Sequence, residues 1–268
     1  MMQTVDHRIP TLALPCNAGS YHDIPFDATD SRANEPLVRL DGYGIVGESF
    51  YARTDGGNAP YNRKIDGAAE RIWCRKTVAE KLARVNDRLK AFGVELFVFD
   101  AYRPIKCQKG LWDFFWKKVA HDNPQASEEE RRSICLTIVS DPTRFQRTDS
   151  KTWPLHSSGG AVDLTLRKRG TRELLDMGAG FDELSANSTS DAFERKLAAG
   201  EIAENDPRLQ NRRLLHWAMT QEGFTNYHLE WWHFDYGNQG HVLYAKLLGL
   251  PNAPQAAWYG YVDPPSDV

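Results

Sequence analysis

Two short stretches hold the residue types that metal chemistry requires. The first runs Trp153-Pro154-Leu155-His156-Ser157-Ser158-Gly159-Gly160-Ala161-Val162-Asp163-Leu164-Thr165-Leu166. His156 lies in its turn-rich part, and Asp163 follows seven residues on, inside an apolar run that reads as a buried strand. A carboxylate is costly to bury unless it is paired or bound to a metal. An imidazole from the loop and a carboxylate from the strand can converge on one ion if the glycines let the backbone fold back tightly. The second stretch, Glu230-Trp231-Trp232-His233, adds one more imidazole. His156, Asp163 and His233 then make three protein ligands with a fourth position open, which is the ligand count of a catalytic zinc site. Glu230, three residues before His233, is placed to act as base on water at that open position. A single histidine is more often hydrogen-bonded than metal-bound, so a His/Asp network without metal is the competing reading. The case for zinc rests on the two stretches together, since each supplies what the other lacks.

The elements that must position these residues are legible in outline. Val78, Leu82, Val85 and Leu89 recur at helical spacing and predict a helix over Thr77–Phe92, with Gly93 as its stop. Val94–Phe99 follows as an almost wholly apolar, central strand. It ends at Asp100-Ala101-Tyr102-Arg103-Pro104, which leaves Arg103 just off the end of a buried strand, a common place for functional side chains. An arginine there could equally pair with a surface carboxylate. Lys106–Ala120 reads as a helix whose aromatics belong to the core. Ser127 with Glu130 forms a capping box for a helix through about Val139. Pro207–Glu222 is a further helix, Tyr227–Tyr236 an aromatic strand and Gly240–Leu248 a short helix. One tension remains. Residues three apart on a regular strand face opposite sides, so Glu230 and His233 need a bulge or bend to share a metal.

Composition narrows the function classes. With 268 residues, 41% hydrophobic and 26% charged, the chain can bury a sizeable core. The net charge of −3 gives no basic field for nucleic acid or anionic membrane, and no stretch is long and apolar enough for a membrane span. The amino terminus lacks a secretory pattern. A cytoplasmic location is therefore expected, or a periplasmic one if a signal peptide has been removed. Cys16, Cys74, Cys107 and Cys135 are widely separated and read as reduced, buried residues rather than ligands. Residues 1–35 read as an irregular leader, 36–250 as the catalytic domain and 251–268 as a surface tail. The oligomeric state has no signature.

Taken together, these motifs resemble the zinc-dependent D-alanyl-D-alanine dipeptidases of the VanX type. That family sits within a wider group holding D-Ala-D-Ala carboxypeptidases and the hedgehog amino-terminal domain. The matching pieces are Asp100-Ala101-Tyr102-Arg103-Pro104, His156 through Leu166, Met177-Gly178 with Phe181-Asp182, Asn211-Arg212-Arg213-Leu214, and Gly223-Phe224 followed by Leu229-Glu230-Trp231-Trp232-His233. The resemblance implies an α+β fold with helices packed on a mainly antiparallel sheet. It implies one zinc ion on His156, Asp163 and His233, Glu230 as base and Arg103 as transition-state stabiliser. It also assigns Asp182 to the free ammonium of a small D-amino-acid dipeptide and matches Tyr43 loosely to a tyrosine near the substrate. Two residues before His156 the family usually has a serine; here Pro154 offers neither a hydroxyl nor a backbone donor. The runner-up activity is a D,D- or L,D-carboxypeptidase acting on peptidoglycan peptides, and a different class is a non-catalytic zinc-stabilised binding module.

Overall fold

The protein is seen in a computed structural model that describes residues 7–12 and 19–266. Its frame is a five-stranded sheet in the order β2-β4-β5-β7-β6, formed by Val46–Gly47, Val94–Asp100, Ala161–Lys168, His233–Asp235 and Thr225–Asn226. A two-stranded antiparallel ribbon pairs β1 (Leu37–Arg39) with β3 (Trp73–Arg75). Within the larger sheet β2 runs parallel to β4 and the other neighbours pair antiparallel. The α+β class is as expected, but the sheet is mixed.

Alternation along the strands sorts residues to two faces. Leu96 and Val98 of β4, Val162, Leu164 and Leu166 of β5, and Phe234 of β7 turn to one face and join the main core. Helix α1 (Lys76–Leu89) lies over that face with Val78, Leu82, Val85 and Leu89 fully buried, beside α5 (Pro207–Thr220). This seam is the one the helical period predicts. Leu82→Ala should cost about 2–5 kcal/mol, the range for emptying a tightly packed leucine site, and a urea midpoint unchanged from the parent would refute that packing.

The opposite face carries Asp163, Thr165, Phe97 and Phe99 and is covered by helix α2 (Ile105–Asp122) and the loops around Tyr51 and Tyr61. Here the register of β4 matters. Val98 pairs with Leu164, but the next pair is Asp100 with Asp163, so Phe99 is an extra residue on one strand. Without that bulge Asp100 would follow Val98 onto the α1 face; with it, the carboxylate turns to the face of Asp163. Asp163 in turn pairs with His233 of β7. Asp100, Asp163 and His233 thus form one row across three strands.

Elsewhere the structure departs from the sequence reading in three places. Helix α3 (Glu128–Leu136) has the Ser127/Glu130 capping box, but it ends before Val139. The segment Tyr227–Tyr236 is not one strand: β6 ends at Asn226, two turns follow, and β7 begins at His233. The expected surface tail is pinned inward, with Ala257, Trp258 and Tyr259 buried. Helix α4 (Ala192–Ala198) and helix α6 (Gln239–Leu247) complete the fold. No helix among the described residues is long and apolar enough to cross a membrane.

Arg75, at the end of β3, ties distant segments together. Its buried guanidinium donates to the carbonyls of Ser158 at 2.8 Å, Gly260 at 3.1 Å and Ala33 at 3.4 Å, and also to that of Glu35. Cys74, Cys107 and Cys135 are free and buried, and Cys16 lies outside the described residues.

Candidate metal centre

His156 sits in a short 3-10 turn, Leu155–Ser158, that Pro154 opens and Gly159 closes with φ +71°. Gly160 must stay bare, because a Cβ there would lie 2.4 Å from the Tyr236 carbonyl. This tight return sets the imidazole beside the first residues of β5. Donor atoms of His156, Asp163 and His233 all lie within 4.8 Å of one another, and the three residues are buried. The His156 ring turns Nε2 toward Asp163 Oδ2 at 3.4 Å, and its Nδ1 lies 2.7 Å from the Ala101 carbonyl. His233 is oriented the other way: Nδ1 lies 3.0 Å from Asp163 Oδ1 and Nε2 lies 3.0 Å from Asp235 Oδ2.

Such an arrangement fits a divalent cation. His156 has Nδ1 on the Ala101 carbonyl and Nε2 toward Asp163, and His233 has Nε2 on Asp235 and Nδ1 on Asp163. An oxygen partner on the far nitrogen is the pattern that fixes the tautomer of a ligating histidine. Burial, with Arg103 adding to it, brings His156 down to about 3 and so keeps it neutral, as ligation needs. Burial opposes charge on His233, yet Asp235 and Asp163 hold it well above the usual imidazole value, so a cation at Nδ1 would take the place of a proton. The donor set of two imidazoles and one carboxylate suits zinc.

Arg103 reaches the same point from the end of β4. Its Nε donates to Asp100 Oδ2 at 2.8 Å, Nη1 to Gln108 Oε1 at 2.9 Å, and Nη2 lies 3.4 Å from both Asp163 Oδ2 and the Tyr51 hydroxyl. The guanidinium also lies over the Tyr51 ring, 4.8 Å from its centroid. Burial pushes the Asp100 carboxyl up to about 7, with Arg103 pulling it back. Arg103 is therefore not a surface ion pair but a fixed charge in the cavity wall.

The turns before β7 resolve the tension over Glu230. The amide of Glu230 donates to the Tyr227 carbonyl at 3.0 Å, and that of His233 to the Glu230 carbonyl at 3.3 Å. Asn226 Nδ2 reinforces the bend by donating to the carbonyls of Glu230 at 3.1 Å and His233 at 2.8 Å. In such tight turns residues three apart lie one above the other, so Glu230 and His233 line the same cavity. Burial raises the Glu230 carboxyl to about 8, with His233 opposing; a nearby cation would lower it again.

Asp182 faces this cavity from the loop after β5, in the left-handed region at φ +61°. Its Oδ2 accepts from the Tyr61 hydroxyl at 2.7 Å and the Tyr51 hydroxyl at 3.2 Å. Burial raises its pKa, and the Tyr61 bond and Arg103 oppose that. The loop is held by α5: Asn211 Nδ2 donates to the Asp176 carbonyl at 2.8 Å, while Arg212 donates to those of Met177 at 2.7 Å and Thr189 at 2.6 Å. The Asn211-Arg212 motif is thus a clamp on the segment that presents Asp182.

Tyr43 does not join the group. It ends a 3-10 turn, Leu40–Tyr43, and packs against the main core; Tyr21, Tyr227 and Tyr244 line the cavity, and the tyrosines in it that reach Asp182 are Tyr51 and Tyr61. Tyr51 follows Ser49-Phe50 and Tyr61 sits between Pro60 and Asn62, with no periodicity to single out either. Asp235 is a further residue that the motifs do not mark, although its signal is simple: two residues beyond His233 on a strand, it shares that residue's face. The cavity itself measures about 420 Å³ and extends from His156, Asp163 and His233 to walls built by α2, the end of α3 and α6, a size usual for small-molecule sites.

Comparison with known proteins gives a family match and several similar relatives. The family model Peptidase M15, described as D-ala-D-ala dipeptidase, matches residues 45–249. A D-alanyl-D-alanine dipeptidase of Synechocystis sp. is 32% identical over 176 residues, 63% of this chain and 70% of the relative. One from Enterococcus faecium is 30% identical over 193 residues, covering 72% and 86%. Another, from Streptomyces coelicolor, is 30% identical over 200 residues, covering 74% and 89%.

Proposed function

We propose, since this chain belongs to the Peptidase M15 family of D-Ala-D-Ala dipeptidases, that it is a zinc metallopeptidase which hydrolyses the D-alanyl-D-alanine dipeptide. The observation that carries this is the convergence of three metal donors, Glu230, Arg103 and Asp182 on one cavity. His156, Asp163 and His233 would hold zinc, which supplies Lewis-acid polarisation of the scissile carbonyl and a more acidic water.

The chain's own groups carry the rest. Glu230 accepts a proton from the water that attacks the amide carbon. It returns that proton to the departing amine as the C–N bond breaks, so two molecules of alanine are released. Arg103, fixed by Asp100 and Gln108, meets the negative charge that develops on the carbonyl oxygen; charge stabilisation of this kind is usually the largest catalytic term. Asp182 pairs with the substrate ammonium, its orientation held by Tyr51 and Tyr61. An acylated amino terminus would leave that carboxylate unpaired, so Asp182 measures substrate length.

Zinc-loaded protein should therefore release alanine from D-Ala-D-Ala and leave N-acetyl-D-Ala-D-Ala intact, with L-Ala-D-Ala and L-Ala-L-Ala reporting stereochemical preference. Equal cleavage of the acetylated substrate would replace this reading by the carboxypeptidase one. Asp182→Asn should raise KM for the free dipeptide about 10–100-fold, because a hydrogen bond to a charged group contributes about 1.5–3 kcal/mol. An unchanged KM would remove Asp182 from ammonium recognition.

A further inference from the structure

Asp235 is fully buried and stands behind the metal donors rather than among them. Its two oxygens are both engaged: Oδ2 lies 3.0 Å from His233 Nε2, and Oδ1 accepts from Asn238 Nδ2 at 2.6 Å. The surroundings are shaped to hold a carboxylate here. Its partner across the β5–β7 ladder is the small Ala161. A Cβ on Gly240 would fall 2.4 Å from Asp235 Oδ2, so the first turn of α6 can approach only as glycine. Asn238 serves two ends at once, since its Oδ1 also caps α6 by accepting from the His241 amide at 3.0 Å. A rigid line thus runs from the start of α6 through Asn238 and Asp235 to the far nitrogen of His233.

We propose that Asp235, braced by Asn238, is a positioning residue that fixes the tautomer and rotation of His233 and so sets the affinity of the site for zinc. The inference rests on the zinc reading above. With Nε2–H donated to Asp235, Nδ1 is left with its lone pair toward Asp163 and His156, and the adjacent negative charge makes that nitrogen a stronger donor to a cation. A carboxylate at this distance from a ligating imidazole contributes affinity without touching metal or substrate.

The test is zinc affinity, read by competition with a chromophoric chelator, on the full chain. Asp235→Asn keeps shape and volume but removes the charge. It should weaken zinc binding about 10–100-fold, the effect of losing an outer partner of a metal ligand. A merely structural aspartate would lower the melting temperature of the metal-free protein while leaving the zinc-induced rise in that temperature intact. The positioning role instead predicts a smaller zinc-induced rise. Should Asp235→Asn fail to fold, Asn238→Ala, which keeps the carboxylate but frees its rotamer, should still weaken binding about 10-fold. Parent protein that takes up no zinc would overturn the metal reading and this inference with it. Parent protein that binds zinc, with affinity unchanged in the variant, would overturn this inference alone.

Discussion

Glu230→Ala should bind zinc as the parent does and lose about 10²–10⁴-fold in kcat, the usual contribution of a positioned acid–base group. The upper part of that range is expected, because the same carboxylate serves both the attack and the departure of the amine. On the proposed assignment metal content should hold, because the group of residues that could hold an ion is His156, Asp163 and His233, without Glu230. Folding should hold as well. The bend that carries Glu230 is built from backbone bonds and from Asn226, none of which involves the Glu230 side chain. Steady-state kinetics beside metal analysis of the same sample separates the outcomes. Near-parental turnover would remove Glu230 from the chemistry, and loss of metal would make it a ligand instead.

His156→Ala should show the opposite pattern. Loss of a ligand must exceed the effect of losing an outer partner, so zinc affinity should fall by more than about 100-fold, and activity should fall with it. The ring is buried between the Ala101 carbonyl and Asp163, so its removal takes one partner from the Asp163 carboxylate and leaves it His233 and Arg103. Dialysed His156→Ala that kept one zinc per chain would show that the metal sits elsewhere. Together the two variants divide the site into residues that hold the ion and a residue that works beside it.

Much of the fold and of the site is readable in the sequence, and the exceptions have physical causes. The strongly periodic α1 and the almost wholly apolar β4 each obey one rule along their length, and both form close to the expected bounds. His156, Asp163 and His233 are legible as a group because a carboxylate within an apolar strand calls for a partner or a metal, and the structure brings both imidazoles to it. The segment after Asn226 misleads because Tyr, Trp and Phe favour strands by packing, whereas here a side-chain amide seizes two backbone carbonyls and bends the chain. The bulge at Phe99 leaves no mark in local composition, since it is defined by its partner strand. Tyr43, Tyr51 and Tyr61 cannot be ranked without tertiary contacts. The inward tail escapes notice because its prolines read as surface while Trp258 and Tyr259 are drawn into the core.

The guanidinium of Arg75 ties segments far apart in the chain to the turn that carries His156. It grips the carbonyl of Ser158, two residues past His156, with the same side chain that grips Ala33, Glu35 and Gly260. A fragment trimmed to the family-matched residues 45–249 would lose three of those four anchors and leave the guanidinium held to the turn of His156 by the Ser158 carbonyl. Such a minimal fragment is a poor surrogate for the whole chain, and homology boundaries drawn from the matched motifs alone would cut through a strut of the turn that carries His156.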